Sequence, residues 1–557
     1  MKDSLEIWGG VECSMVRLRD GIRDQLRATG HFDRAGDLSL IAETGIKTLR
    51  YPVLWELVEG DGSRDWRWPD ARLDELRRLG VRPIAGLVHH GSGPKSTHVL
   101  DPDFPGLLAG YAGQVAERYP WLEMFTPVNE PLTTARISGL YGLWHPHGTC
   151  EATCFRLTVA QCRAIASAMK AIRRHIPAAQ LVQTEDFGRV FSTPRLRYQA
   201  DYENERRWLA LDLLSGLVDD GHPFHRRLLE AGVEPRHLAE LTADPCPPDI
   251  IGIDYYLTSD RMLDDDLRRY PEEQTGGNGI DAYVDIAAVR SEMRGHARLR
   301  FRLKEIWDRF RRPIAVTELH NGCTREEQLR WLIEGWQEAK AASDDGADIR
   351  AITAWSLFGA TDWNSMLVHQ KGYYESGAFD VRDASPRKTV IASAVSQLVK
   401  AGAFDHPALD RSGWWRTEPL PRNPVRTMLL AGFGRMASVI EECCHMRRLA
   451  VRPAPPHKIV QHLSQTNSWA AISVEEGDWS ARGSRSAFIK LRCQFPGGAL
   501  LDLHSSPAIG MVEAANAFLD LVVDGQTGRF RLLRAEPNNQ YWIEAVEEEV
   551  SGTNYAV

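Results

Sequence analysis

The sequence predicts an α/β protein, built as a (β/α)8 TIM barrel followed by a small, truncated Rossmann-like α/β domain. Three observations lead to this prediction. Over residues 1–402, eight short apolar runs alternate with longer amphipathic segments, as in parallel β/α units. Nearly every run ends in polar or aromatic residues. After a proline-rich stretch, a further apolar run enters a glycine turn and then a helical pattern.

The eight runs are strand-like because β-branched and aromatic residues are frequent in them. They lie at 5–11, 46–54, 81–88, 122–128, 180–184, 249–256, 313–316 and 351–357. Helical periodicity separates them, at 70–79, 105–118, 154–175, 203–218 and 324–341. The stretch 188–248 is predicted to be an enlarged connection that contains helices and no strand.

The length of 557 residues exceeds what one core supports, so a second domain is expected. Residues 403–424 are rich in proline and are predicted to be a linker. Residues 425–557 form the predicted second domain, because 427–437 reads as a strand, a turn containing Gly432 and Gly434, and a helix.

Composition argues against several classes of protein. The net charge is −8 and there are no blocks of Lys and Arg, so nucleic-acid binding is not expected. No run approaches 18 apolar residues and no secretory pattern opens the chain, so neither a membrane span nor export is expected, and the predicted location is cytoplasmic. The nine scattered cysteines indicate reduced thiols, and no Cys/His spacing predicts a metal site.

The carboxyl ends of the predicted strands carry chemically active side chains, and a barrel places its functional residues there. The set consists of Arg50, His89, His90, Asn129, Glu130, Glu185, Asp186, Asp254, Tyr255, Tyr256, Glu318, Trp355, Asp362 and Trp363. A surface salt bridge would explain a single glutamate at a strand end, but it would not explain why polar and aromatic residues occur at the ends of nearly all eight strands. Two carboxyl groups that face one sugar are the minimum equipment for glycoside hydrolysis.

Glu130 and Glu318 are the predicted pair. One carboxyl must be protonated to assist the leaving oxygen and the other ionised to attack the anomeric carbon, so their surroundings must differ. Arg50 is expected to keep Glu318 anionic, with Tyr256 or Tyr255 donating to the same carboxylate. Asn129 is suited to the sugar 2-hydroxyl, and Trp355 and Trp363 to the faces of the sugar ring. Glu185 and Asp186 are assigned to loop anchoring.

Residues 1–400 resemble the family 1 glycoside hydrolases, the retaining β-glucosidases and β-galactosidases. The matching segments occur in the family's order, at 49–55, 88–89, 126–131, 253–256, 314–318 and 355–363. The resemblance implies that Glu130 is the acid/base and Glu318 the nucleophile, without metal or organic cofactor. It also implies that Arg50 contacts the nucleophile and that His89, Trp355, Asp362 and Trp363 bind the glycone or border the aglycone.

The chain departs from the family pattern mainly around the glycone. Residues 10–13 stand where the family has a glutamine. His90 replaces a tryptophan, Asp254 an asparagine, and Asp362 a glutamate. Reaction type is therefore better specified by the sequence than sugar identity.

Residues 425–557 resemble a shortened dTDP-4-dehydrorhamnose reductase-like domain, through 430–437, 469–472 and 506–525. Such reductases need a tyrosine with a lysine four residues later, and neither Tyr541 nor Tyr555 has one. A non-catalytic remnant that packs or mediates contacts is therefore expected.

The sequence thus predicts a retaining β-glycosidase that acts on a small carbohydrate substrate. Two alternatives stay open: a barrel that binds a sugar or nucleotide sugar without cleaving it, and a bifunctional enzyme with reductase activity. A homo-oligomer formed through the C-terminal domain is also left open.

Overall fold

The computed structural model describes residues 5–59, 63–383, 385–416, 425–481, 484–506, 508–535 and 540–546. Eight parallel strands close into a barrel in chain order, which confirms the predicted fold class. The strands are β1 Glu6–Gly10, β2 Thr48–Pro52, β3 Arg82–Gly86, β4 Met124–Thr126, β5 Gln180–Asp186, β6 Ile250–Tyr256, β7 Ile314–His320 and β8 Ile349–Ala354. Each of them lies within one of the predicted runs or overlaps it.

Helices surround the barrel and cover the apolar outer face of the strands, as expected where parallel strands are buried on both faces. They are α1 Asp37–Glu43, α2 Arg67–Leu79, α3 Phe104–Arg118, α4 Glu151–His175, α5 Arg197–Arg206, α6 Leu209–Leu214, α7 His225–Glu230, α8 Pro235–Ala243, α9 Leu299–Phe310, α10 Arg325–Asp344 and α11 Val390–Ala401. One layer of apolar side chains fills the barrel interior beneath the mouth: Trp8, Ile84, Met124, Val182, Ile250, Ala315 and Ala351.

The connections after β5 and β6 differ from the prediction in one respect. The stretch 188–248 contains the short strand Val190–Ser192, which pairs in parallel with Arg261–Asp264. That strand joins a four-stranded sheet with Ala282–Ala287 and Thr275–Gly277. With only three residues, a strand at 190–192 is too short to show an alternating pattern in sequence.

The C-terminal unit is a seven-stranded mixed sheet. Its strands are β9 Thr427–Ala431, β10 Val451–Pro453, β11 Ser468–Ala481, β12 Ser484–Gln494, β13 Leu500–Ser505, β14 Gly528–Ala535 and β15 Gln540–Ala545, in the order 10-9-11-12-13-14-15. Its helices are α12 Arg435–Met446, α13 Ile459–Gln465 and α14 Met511–Val523. The β9–α12–β10 segment is a parallel β/α unit, whereas β11, β12 and β13 are antiparallel.

The segment before this unit packs on the barrel. Trp415 is buried within the turn Trp414–Arg416, and its indole N–H donates to Glu334 on α10 at 2.9 Å. The end of the described part of the predicted linker, at Trp415, therefore packs against the outer helix α10 of the barrel. Residues 417–424 of the predicted linker lie outside the described part of the chain.

Buried ion pairs join the two units. Arg325 at the start of α10 contacts Asp524, which follows α14, with Nε and Oδ1 2.9 Å apart. Arg387 contacts the other oxygen of Asp524 at 2.7 Å. Arg447 from the C-terminal unit contacts Glu326 on α10 and Asp520 on α14. Within the described residues, no helix is long and apolar enough to cross a membrane.

Candidate active site

Two elements bring the predicted glutamates to the same end of the barrel. Glu130 follows β4 and precedes the short helix Pro131–Ala135, with a left-handed backbone at φ +43°. Glu318 lies in β7, where the pairing with β6 skips Thr317, since Val316 pairs with Ile253 and Glu318 with Asp254. Such a bulge turns the side chains beyond it, a common device beside active sites. Both carboxyl groups are buried, Glu130 with 5% and Glu318 with 3% of its surface exposed.

Arg50 and Tyr256 hold the carboxylate of Glu318, as predicted from the sequence. Nη1 of Arg50 donates to Oε1 of Glu318 at 2.7 Å and to the carbonyl oxygen of Thr317 at 2.9 Å. The hydroxyl of Tyr256 donates to Oε2. Tyr255 instead donates to Asp260 at 3.0 Å, so the structure places Tyr256 and not Tyr255 at the site.

Asn129 is fixed beside this pair. Its Oδ1 accepts from Nη2 of Arg50 at 2.6 Å and from the hydroxyl of Thr184 at 2.7 Å. These two donors identify the amide oxygen and leave Nδ2 facing His89 and His90, at 3.3 and 3.5 Å from their Nε2 atoms. One guanidinium therefore orients both Glu318 and the residue that precedes Glu130.

In the part of the chain that the structure describes, no cation comparable to Arg50 contacts Glu130. Nε2 of His90 lies 3.4 Å from Oε2 of Glu130, but burial lowers the pKa of His90 to about 3, so the ring is neutral. Burial raises the pKa of Glu130 well above its ordinary value, and the negative charges of Asp254 and Glu318 raise it further. The environment of Glu130 thus favours a protonated carboxyl.

Burial also raises the pKa of Glu318, to about 8, with help from the charge of Asp254. Arg50 and Tyr256 lower the pKa of Glu318, but by less than burial raises it, so these two contacts do not by themselves produce the anionic carboxylate that was expected from Arg50. The two glutamates still differ, because hydrogen-bond donors support the anion only at Glu318.

His89 and Trp355 form one wall of the site. Their rings are stacked, with centroids 5.8 Å apart and an interplanar angle of 6°. The guanidinium of Arg50 lies over the Trp355 ring, 4.9 Å from its centroid. Gly10 makes room for this tryptophan, since a Cβ at that position would lie 2.3 Å from the indole.

Asp362 and Trp363 lie on the loop after β8. The carboxylate of Asp362 accepts backbone N–H groups from Lys371, Gly372 and Tyr373, at 2.8 to 3.2 Å. These hydrogen bonds fix the conformation of the loop that follows Asp362. Trp363 packs edge-on against His90, and its indole N–H is buried without a partner among the described residues.

Two site residues, Glu12 and Trp144, were not selected as candidates from the sequence, and a third, Asp254, was named at its strand end without a role. Glu12, just after β1, is buried, and the charge of Glu318 adds to burial in raising its pKa to about 7. Asp254 pairs in register with Glu318. Trp144 is buried and packs against His90 and Trp363. For Glu12 and Asp254 the signal was present, because both are acidic residues at strand ends where the family pattern has amides.

Glu185 has the anchoring role predicted for it. Its two oxygens accept the backbone N–H groups of Leu132 and Thr133, at 2.7 and 3.0 Å, at the start of the helix that follows Glu130. In the described part of the chain, no group of three or more His, Cys, Asp or Glu residues is arranged to hold a metal ion.

Comparison with known proteins shows similarity to β-glucosidases. The chain is 22% identical over 394 residues to the aryl-phospho-β-D-glucosidase BglC of Bacillus subtilis, an alignment covering 62% of this chain and 80% of that protein. It is 22% identical over 453 residues to β-glucosidase 47 of Arabidopsis thaliana, covering 72% and 80% of the two chains. No protein-family profile matches the chain.

The barrel has the fold of a family 1 β-glucosidase. The solved β-glucosidase from Thermotoga maritima in complex with azafagomine superposes with a TM-score of 0.59 at 15% identity. The superposition covers 72% of this chain and 99% of that one, so the part of this chain outside it has no counterpart there.

Proposed function

We propose that this protein is a retaining β-glycosidase, with Glu130 as the acid/base and Glu318 as the nucleophile. The observation that carries the assignment is the unequal support of two buried carboxyl groups: Arg50 and Tyr256 donate to Glu318, whereas no cation among the described residues contacts Glu130. The curated relatives are β-glucosidases and aryl-phospho-β-glucosidases, and they bear out the prediction of a hydrolase acting on β-glycosidic bonds.

In the first step, the Glu318 carboxylate attacks the anomeric carbon while the Glu130 carboxyl gives its proton to the leaving oxygen. The glycosidic C–O bond breaks and an ester forms between the sugar and Glu318. Asn129, fixed by Arg50 and Thr184, is placed to contact the sugar 2-hydroxyl as positive charge develops at the anomeric carbon.

In the second step, water attacks the anomeric carbon of the ester and Glu130, now ionised, takes a proton from it. Glu318 leaves as a carboxylate, which Arg50 and Tyr256 stabilise. Two inversions give net retention, and the reaction needs no metal or organic cofactor.

Replacement of the nucleophile tests the assignment. We expect Glu318→Gly to abolish hydrolysis of aryl β-glycosides, and added azide to yield a glycosyl azide of inverted configuration, identified by proton NMR. The exposed Glu272→Gln variant is the control and should keep wild-type activity. Full activity in Glu318→Gly would refute the assignment.

Replacement of the acid gives a different signature. In Glu130→Ala, substrates with good leaving groups should keep their glycosylation rate, since they need little proton assistance, whereas poor leaving groups should lose activity by about 10²- to 10⁴-fold. Equal losses for both classes would count against the acid role.

The altered glycone residues favour one alternative, a barrel that binds a sugar or nucleotide sugar without cleaving it. Glu12, His90 and Asp254 replace uncharged residues or a larger aromatic residue of the family pattern. A panel of aryl gluco-, galacto-, fuco- and xylosides, extended to aryl phospho-β-glucosides, separates the two, because binding throughout without turnover would favour the alternative.

For the C-terminal unit we propose a non-catalytic role in packing or contacts, in a cytoplasmic protein. Its strand–turn–helix opening at β9 and α12 supports a Rossmann-like origin. Binding of NAD(P)H by the full-length protein, measured by calorimetry, would argue for the reductase alternative instead.

A further inference from the structure

His320 is the last residue of β7, two positions after Glu318, and it takes no part in the proposed reaction. Its imidazole lies between two groups of the β8 side of the barrel. Nδ1 is 3.0 Å from the carbonyl oxygen of Trp355, and Nε2 is 3.1 Å from Oε2 of Glu375. The side chains of His320 and Glu375 are each only 12% exposed, so their contact is not a surface ion pair weakened by solvent.

The two partners determine which ring nitrogens of His320 donate. A carbonyl oxygen only accepts, so Nδ1 carries a hydrogen and donates it to Trp355. A carboxylate also only accepts, and its negative charge favours a hydrogen on Nε2 as well. The ring is thus held at both nitrogens, and rotation of the side chain would break both contacts. The contact with Glu375 therefore fixes the direction of the hydrogen bond to Trp355.

The carboxylate of Glu375 is itself confined. A Cβ at Gly322 would lie 2.1 Å from Oε2 of Glu375, so the carboxylate packs directly on the main chain that follows His320. The next residue, Ser376, is tied to the outer helix α10, because its carbonyl oxygen accepts from Nε2 of Gln328 at 2.7 Å. These contacts leave the carboxylate little freedom to move away from the imidazole of His320.

Trp355 is the residue that this arrangement holds in place. The pairing of β7 with β8 ends at Leu319 and Ala354, so Trp355 is the first residue beyond it. The imidazole of His320 continues the connection between the two strands by one more hydrogen bond. The indole of Trp355 stacks on His89 at the wall of the site. Because the carbonyl and the indole belong to one residue, fixing the carbonyl restricts the direction of the indole.

We propose that His320 and Glu375 are positioning residues: Glu375 orients the imidazole, and the imidazole holds the main chain of Trp355 so that the indole presents a fixed face to the glycone. The role of that face in sugar binding rests on the proposed function. Neither positioning residue touches the sugar or exchanges a proton with it. Their loss therefore weakens binding of the substrate and of the transition state alike, which raises KM and leaves kcat nearly unchanged.

Two substitutions of His320 separate its two contacts. The amide nitrogen of an asparagine lies near the position of Nδ1, and that of a glutamine near the position of Nε2. His320→Asn keeps a donor for the Trp355 carbonyl, so KM for an aryl β-glycoside should change by less than about twofold. His320→Gln loses that donor and should raise KM by about tenfold, as expected for one buried hydrogen bond. In both variants kcat should stay within about twofold of wild type.

The control is His175→Gln, at the exposed end of α4, which should change neither constant. Equal KM values in His320→Asn and His320→Gln would overturn the proposal. A fall in kcat with unchanged KM in His320→Gln would also overturn it, because that pattern indicates a general loss of folded enzyme and not a displaced wall.

NMR of the indole N–H groups in the full-length protein tests the positioning without turnover. The chain has 17 tryptophans, and the signal of Trp355 is identified by its loss in Trp355→Phe. This signal should keep its proton and nitrogen shifts in His320→Asn and in His175→Gln. It should move in His320→Gln, because the indole then changes its place beside the His89 ring. An unmoved signal in His320→Gln would overturn the proposal.

If His320→Gln fails to fold, Glu375→Ala gives the same comparison, since it removes the other contact of the imidazole. The Trp355 signal should move there too, and an unmoved signal would overturn the proposal. The outcome is separate from that of the proposed function. A wild type that cleaves no β-glycoside would refute the function and leave the NMR result intact.

Discussion

Arg50 is the residue on which the order of the site depends. Its planar guanidinium reaches Glu318, the Thr317 carbonyl and Asn129 at once, and it stacks on Trp355. A lysine has a single point of charge and cannot repeat this geometry. Arg50 is buried, so its loss also leaves the Glu318 carboxylate without a cation.

We therefore expect Arg50→Lys to lower kcat/KM by about 100-fold, corresponding to roughly 3 kcal/mol for a disrupted buried pair. Steady-state kinetics with an aryl β-glycoside measure this. The matched control is Arg118→Lys, at a partly exposed pair with Asp70 outside the site, which should change kcat/KM little. An Arg50→Lys enzyme within about threefold of wild type would show that the fork geometry is not needed.

Glu12 makes stability depend on pH in a defined direction. Burial and the charge of Glu318 raise the pKa of Glu12 from 4.5 to about 7 in the folded protein. The unfolded chain releases this proton at lower pH, so stability falls as pH rises from about 4.5 to about 7, by up to roughly 3 kcal/mol. Glu12→Gln should remove this loss and be more stable than wild type at pH 8, but not at pH 4.5. Calorimetric melting at the two pH values checks this, and a constant difference between the proteins would contradict it.

At the scale of the elements, close approach of β1 and β8 places the Trp355 wall. Gly10 at the end of β1 leaves space for the indole, since a Cβ would lie 2.3 Å from it. In Gly10→Ala we expect a loss of about 1–3 kcal/mol from overpacking, and a fall in kcat/KM because Trp355 contacts His89 and Arg50.

The control for that substitution is Gly110→Ala in α3, where an added Cβ meets nothing within 4 Å. It should stabilise the protein by about 0.5–1 kcal/mol through helix propensity, with unchanged kinetics. Denaturant unfolding and kcat/KM measure both variants. Wild-type activity in Gly10→Ala would mean that the indole can shift without harm.

The sequence allowed all eight barrel strands to be located, because buried parallel strands appear as continuous apolar runs. It did not allow prediction of the bulge at Thr317 or the left-handed backbone of Glu130. Both are imposed by neighbouring strands and a following helix, and no local residue pattern encodes them. The short strand Val190–Ser192 was missed for the same reason: its pairing with Arg261–Asp264 is long-range.

Within the site, residue types at strand ends were enough to select Glu130, Glu318, Arg50 and Asn129 as candidates. Whether Asp254 and Glu12 belong to the pocket depends on which way a strand residue points after a bulge or a strand end, and that requires the closed barrel. The pKa of Glu318 likewise depends on three-dimensional packing, because burial raises it and Arg50 lowers it.

At the scale of the molecule, the C-terminal unit is bound to the barrel by charges that are removed from water. The resemblance of this unit to a reductase stays a prediction, but its attachment is defined by contacts. Arg325 links Asp524 of the C-terminal unit to the loop after β8, where its Nη1 donates to Ser376. The neighbouring Glu375 contacts His320, which lies two residues after Glu318 at the end of β7. The unit is thus connected to the support of the active site.

This attachment predicts that the two units unfold together. Asp524→Asn removes the charge that faces Arg325 and Arg387, while Asp380 stays 3.6 Å from Arg325. Because buried ion pairs join the two units, we expect a single calorimetric transition in the wild type. Removing one partner of a buried pair costs about 3–5 kcal/mol, so in Asp524→Asn the whole transition should move to lower temperature. The control is Asp405→Asn, which should melt at the same temperature as wild type. The side chain of Asp405 is 84% exposed, and its partner Arg426 also pairs with Asp410. Two separate transitions, of which only one shifts, would show that the C-terminal unit is energetically independent of the barrel.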